Sequence, residues 1–312
     1  LLKIAGKNPA QLVDSDMGFS VAPRLNAAGR LDDISYGIQC LLTDDPQEAL
    51  DRAQLLEQFN QDRKAIERDM QIEALNIVEG LALDDQDELP AALCLYQADW
   101  HQGVVGLLAS RIKEKFHRPV AVFARDDSGT LKGSVRSIPG LHIRDALDAV
   151  ATQNPGLISK FGGHAMAAGL SLEESQLESF EKALQQQVAS TIDPLDLEAT
   201  LQTDGQLETE QLTLHTASVL RDSGPWGQAF PEPCFEGEFE LRSQRIVGEN
   251  HLKISLAVDA TNAQSIDGIY FNIDTEQWPT TATRVRCVYR LDINQFRGRE
   301  SLQLLVQYMQ PI

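Results

Sequence analysis

The chain has 312 residues, more than one hydrophobic core usually serves, and two domains are expected. Hydrophobic residues at 42% and charged residues at 23% are ordinary for a soluble globular protein. No apolar run approaches the roughly 20 residues a bilayer crossing needs, and residues 1–8 lack a signal-peptide core, so membrane and secreted classes are set aside. A first residue of Leu rather than Met points to a longer chain upstream.

Cys40, Cys94, Cys234 and Cys287 lie far apart with no CxxC pair, which argues against a zinc knuckle or redox motif. They are expected as reduced core residues of a cytoplasmic protein. The net charge of −19 counts against nucleic acid as a partner, because phosphate affinity comes from Lys and Arg displacing condensed counterions. Distribution qualifies that sum. Residues 41–100 carry 15 acidic and 4 basic side chains, whereas residues 101–164 carry 9 basic and 5 acidic. A positive region on an otherwise acidic surface suits a groove that admits a polyanion in one place.

In chain order, residues 9–17 read as a short helical stretch, 18–29 as a loop rich in small residues, and 36–42 as a helix. Asp45 before Pro46 has the form of an N-cap with Pro at the first helical position. Apolar residues then recur at spacings of three and four as far as Val78, predicting an amphipathic helix of about 35 residues. After an acidic turn at 84–88, strands are predicted at 91–96, 120–124 and 130–136, with helices at 103–116, 141–150 and 173–189. Strand, helix, strand, strand, helix is the order of an α/β domain with a mixed sheet. Residues 191–203 form a polar connection, followed by short helices at 209–212 and 215–222. Five alternating runs, 235–246, 251–258, 265–271, 284–291 and 301–308, match the strand count of a small barrel of the OB type, though periodicity alone admits another small barrel or a sandwich.

Four segments carry chemistry. Gly162 and Gly163 before His164 allow close approach of a backbone and aim N–H donors at an anion, with the imidazole as a further donor; a tight turn with a satisfied histidine is the competing reading. Ser134 and Arg136, two apart on a predicted strand, fall on one face and can share a phosphate, with Lys132 beside them; the competing reading is a surface strand edge. Arg24, Asn26 and Arg30 surround small residues, and Trp100 and His101 precede a helix whose N-terminus attracts anions. Trp100 is read as a base-stacking ring or a buried aromatic.

Taken in order, Arg24 to Arg30, Trp100 to Gly106, Gly133 to Ser137 and Phe161 to Gly169 resemble the C-terminal part of the RecJ family, single-strand-specific exonucleases of the DHH phosphoesterase superfamily. The resemblance covers essentially the whole chain, departing from the superfamily's Gly-Gly-Gly-His pattern at Phe161. It implies an interdomain helical segment (1–80), a DHHA1 substrate-binding domain (81–190), and linker helices with an OB-fold (191–312). By the same resemblance Ser134 and Arg136 match positions that hold a 5′ phosphate, and His164 with Gly162 and Gly163 matches the group contacting the scissile phosphate. Asn26 and Arg30 would track the strand. Two Mn or Mg ions are implied in a DHH domain absent from this chain, since no Asp-His-His sequence occurs and no ligand cluster is visible. Single-stranded DNA with a 5′ phosphate is the implied substrate, and a single-stranded-DNA-binding protein is a further partner to consider. On the barrel, Tyr270, Phe271, Tyr289, Arg290, Phe296, Arg297 and Arg299 form a shortlist for DNA contact. A non-catalytic single-stranded nucleic-acid-binding or scaffolding module is the alternative function.

Overall fold

The computed structural model describes residues 1–84, 89–227, 229–258, 264–296 and 298–312. The expected acidic turn falls mostly outside the described residues, as do Arg297 and the side chain of Phe296. The chain divides into two compact units, Leu1–Ala199 and Thr200–Ile312.

The first unit opens with a 3-10 turn (Pro9–Gln11), α1 (Asp14–Asp16) and a π-helical turn (Met17–Val21), then α2 (Ala22–Leu31), α3 (Ser35–Leu42) and α4 (Pro46–Asp84). The expectation of a loop at residues 18–29 is overturned by α2. Its small residues serve packing instead: Ala27 and Ala28 are fully buried, and Gly37 of α3 lies against the Leu25 backbone. Close helix approach and a small-residue loop look alike in composition. Asp45 caps α4, its carboxylate accepting the N–H groups of Gln47 and Glu48, and the 39-residue helix spans about 58 Å at the standard rise.

A five-stranded sheet follows in the order β1-β2-β3-β5-β4. Its strands are β1 (Leu93–Tyr96), β2 (Val120–Arg125), β3 (Thr130–Arg136), β4 (Lys160–Gly163) and β5 (Ala167–Glu173). β1 and β2 run parallel and the other pairs antiparallel, so the sheet is mixed as expected. α5 (Val105–Phe116) connects β1 to β2, α6 (Ile143–Gln153) connects β3 to β4, and α7 (Leu177–Thr191) follows β5. β4 and β5 are additional to the expected strands. Lys160–Gly163 has no alternation to detect, and β5 hides its inward Ala168, Leu170 and Leu172 among Ala167 and Gly169.

The two faces of the sheet bury different cores. Phe123, Leu131, Val135, Leu170 and Leu172 pack against α6 and α7, whereas Val120, Val122 and Ala124 pack against α5 and α4. Helix α5 touches β2 and β3. On that same face, strand register places Ser134 beside Gly169 and Gly169 beside Gly162.

In the second unit, α8 (Leu214–Asp222) precedes a closed barrel of β6 (Phe235–Val247), β7 (His251–Ala257), β8 (Ser265–Tyr270), β9 (Arg284–Phe296) and β10 (Arg299–Pro311). All five expected strands are present, in the OB order β10-β8-β7-β6-β9. The interior is apolar, with Tyr289 fully buried between Phe235 and Phe239. Burial pushes the Cys287 thiol up to about 12.

Candidate nucleic-acid interface

The register of β3 sets the site. Lys132, Ser134 and Arg136 alternate with the inward Leu131 and Val135, and so stand half-buried on the face that α5 approaches. Arg136 Nη1 donates to Ser134 Oγ at 2.9 Å and to the Val135 carbonyl at 2.9 Å. It makes no ion pair among the described residues. The N-terminus of α5 lies directly above: a Cβ on Gly106 would stand 3.0 Å from Arg136 Nη2 and 3.1 Å from Ser134 Oγ. Val104, at the N-cap, offers no side-chain acceptor, leaving the first N–H groups of α5 uncapped by a side chain.

Arg30, at the end of α2, enters the same space. Its Nη1 donates to the Gly103 carbonyl at 3.1 Å, and it too has no ion pair among the described residues. Burial first, then the Arg30 charge, lowers the Arg136 guanidinium from its ordinary value. Burial first, then Arg63, lowers that of Arg30, with Glu67 opposing. Arg30, Lys132, Ser134, Arg136 and Gly106 line one cavity of about 390 Å³, which holds three basic residues and no acidic one. Two half-buried guanidiniums without carboxylates, beneath an uncapped helix N-terminus, have the charge and the donors that an anion with several oxygens requires.

Arg30 also lines a second cavity, of about 530 Å³, with Asn26, Arg63, Lys64 and Phe19. Asn26 and Arg30 are one helical turn apart on α2, which brings them to one face. Most cations there are engaged: Arg24 with Glu57, Arg63 with Glu67, and Arg111 with Glu67 and Glu114. Arg30 and Lys64 make no ion pair among the described residues.

The glycine pair divides its labour. Gly163 has φ +151°, and a Cβ there would stand 2.4 Å from the Ala167 carbonyl oxygen, so the β4–β5 turn requires glycine. Gly162 meets no such limit; a Cβ would enter open space. It keeps the outer sheet face bare. His164 is exposed in the turn, its N–H bonded to the Ala167 carbonyl at 2.8 Å. Gly162 lies two strands from Ser134, roughly 10 Å at the usual strand spacing. These residues form two stations: Ser134 and Arg136 in the cavity, and Gly162 two strands away on the same face, followed by Gly163 and His164 at the β4–β5 turn.

His101 turns Nδ1 to the Gly103 N–H at 3.0 Å and shapes the entrance to α5. Lys132 reaches Ser171 Oγ at 3.2 Å and Asp126 at 3.4 Å. Trp100, 4% exposed, is a core residue whose Nε1 donates to Glu73 at 2.7 Å. Of the barrel shortlist, Tyr289 is core, Tyr270 is half-buried, Arg290 pairs with Glu232, and Phe271 and Arg299 are exposed. Lys64 and Phe19 carry no signal in the sequence, and Gly106 enters only as the end of the Trp100 to Gly106 segment. Among the described residues no group of three or more His, Cys, Asp or Glu could hold a metal ion, so these side chains do not fit a two-metal site. The four cysteines are unpaired, and no helix among the described residues is long and apolar enough to cross a membrane.

Family models match at residues 90–190, as a DHHA1 domain, and at 203–308, as a RecJ OB domain. The chain is 51% identical over its whole length to single-stranded-DNA-specific exonucleases RecJ from Dickeya dadantii and Escherichia coli, covering 54% of each. It thus spans about half the length of the curated relatives it matches. It also superposes over its full length on 43% of the RecJ crystal structure with Mn2+ from Thermus thermophilus, with a TM-score of 0.79 and 25% identity. A companion structure of that protein holds Mg2+.

Proposed function

This chain belongs to the RecJ family, carrying its DHHA1 and OB domains in that order, and on that premise we propose that it is the DNA-holding part of a 5′-to-3′ exonuclease for single-stranded DNA. The observation that carries the reading is the uncompensated pair Arg30 and Arg136 beside Ser134 and the α5 N-terminus. In this reading Ser134 and Arg136 grip the 5′ phosphate, and Lys132 adds charge at the rim of that cavity. Asn26 and Arg30 follow the backbone toward the second cavity, while His101 sets the loop that presents the helix N-terminus. His164, with Gly162 holding the sheet face open, meets a phosphate nearer the bond to be broken. The roughly 10 Å between the two stations supports a strand lying across the sheet rather than a single captured group.

Hydrolysis by two Mn or Mg ions belongs to the part of the relatives' length that this chain does not span, and no chemical step is assigned to the residues here. Their contribution is positional: holding the end of the strand sets which bond is presented, and fixed placement supplies much of the rate in such reactions. The unpaired thiols and DNA substrate suit a cytoplasmic enzyme of DNA repair and recombination.

The test compares oligonucleotides with a 5′ phosphate and a 5′ hydroxyl. The chain is expected to prefer the phosphate by about tenfold or more, the worth of charge-assisted hydrogen bonds, and Arg136→Ala to abolish the preference. A preference that survives the change would favour the scaffolding alternative.

A further inference from the structure

Phe19 is the most exposed large apolar side chain described, at 85%. It lies in the π-helical turn Met17–Val21, whose next two residues, Ser20 and Val21, are buried at 9% and 6% and anchor the backbone. Arg24 Nη1 donates to the Ser20 carbonyl and ties the turn to α2. Single π turns inside helices often mark functional sites. Here the turn carries a ring at the lining of the second cavity, with Asn26, Arg30 and Lys64 in the same lining.

An aromatic ring flanked by unpaired cations is the arrangement by which proteins hold single strands: cations follow the phosphates while the ring stacks on a base. We propose that Phe19 is a base-stacking residue, taking one nucleobase of a single strand whose phosphates run past Arg30 and Lys64. The inference rests on the reading of this unit as a DNA-holding module. It adds a contact that double-stranded DNA, with its bases stacked internally, cannot make, and so assigns Phe19 a share of the preference for single strands. The lining favours a nucleobase over an apolar protein segment as the occupant: it holds five basic side chains against two acidic ones, Glu67 and Glu114, which are paired with Arg63 and Arg111, so an apolar segment covering the cavity would bury Arg30 and Lys64 without an ion pair.

The test measures binding of a fluorescently labelled oligothymidine and of an abasic oligomer of equal length to the 312-residue chain, its Phe19→Ala and Phe19→Trp variants, and Arg30→Ala. Phe19→Ala is expected to weaken oligothymidine binding about tenfold and leave the abasic oligomer unaffected, while Phe19→Trp retains wild-type affinity. Oligothymidine affinity unchanged by Phe19→Ala would overturn the proposal and leave the ring to a protein contact; equal weakening on both oligomers would overturn it as a charge or folding effect. Arg30→Ala is expected to weaken both. A chain that binds neither oligomer removes the DNA-holding reading itself, an outcome separate from the failure of Phe19 alone.

Discussion

Gly106 is the residue on which the anion site and the fold make different demands. At the second position of α5 an alanine is the better helix former, by up to about 1 kcal/mol. Its Cβ, however, would press on Arg136 Nη2 at 3.0 Å and Ser134 Oγ at 3.1 Å. Both are ends of side chains that can yield by a few tenths of an ångström, so the fold tolerates the methyl while a phosphate bound as proposed would lose its place between helix and strand. Gly106→Ala is therefore expected to leave the urea midpoint unchanged or raised and to weaken binding of a 5′-phosphorylated oligonucleotide severalfold. Equal affinity in mutant and parent would mean that the phosphate does not approach α5. The same geometry separates Gly162 from Gly163: the turn needs the second, while the first matters only if something lies over the sheet.

Among the elements, those with strong periodicity were legible and those built from small residues were not. Helix α4 and the five barrel strands follow from apolar spacing, and Asp45 marked the start of α4 correctly. Helix α2 looks like a loop in sequence because its alanines and glycine resemble a flexible segment, and β4 and β5 leave no trace because glycine and alanine carry no hydrophobic pattern. The lost elements cluster at the candidate site, where backbone must come close to backbone or to a ligand. The site residues Ser134 and Arg136 were legible from strand alternation, whereas the distance to His164 depended on β5 lying between. Gly103 shows what such closeness requires: a Cβ there would stand 1.9 Å from the Arg30 carbonyl oxygen, at the contact where α2 meets the entrance of α5. Unlike Gly106, it faces backbone that cannot rotate aside. Gly103→Ala is expected to cost about 1–3 kcal/mol in urea unfolding and to weaken DNA binding together, because Arg30 is carried away from Arg136. Reduced affinity at full stability would instead give Gly103 a direct role at the ligand.

At the scale of the whole chain, a net charge of −19 opposes binding to DNA at long range, and only local charge can reverse it. Among the described residues, more than half of the lysines and arginines make ion pairs. Arg24, Arg63 and Arg111 are held by Glu57, Glu67 and Glu114, and Arg284 and Arg286 on the barrel share Glu238. A neutralised arginine releases few counterions on binding. Along the two cavities of the first unit, Arg30, Lys64 and Arg136 remain without ion pairs among the described residues, and Lys132 is only loosely engaged with Asp126 at 3.4 Å. If these four neutralise four phosphates, the logarithm of the association constant should fall with the logarithm of salt concentration at a slope of about −3, at roughly −0.7 per phosphate on a single strand. Each alanine substitution among them should flatten the slope by about 0.7, while substitution of Arg284 or Arg286 should leave it unchanged. A titration of oligothymidine binding across salt concentrations measures this directly. A slope near −6 or steeper would require about as many phosphate contacts again outside these two cavities, and would shift the principal binding surface away from them.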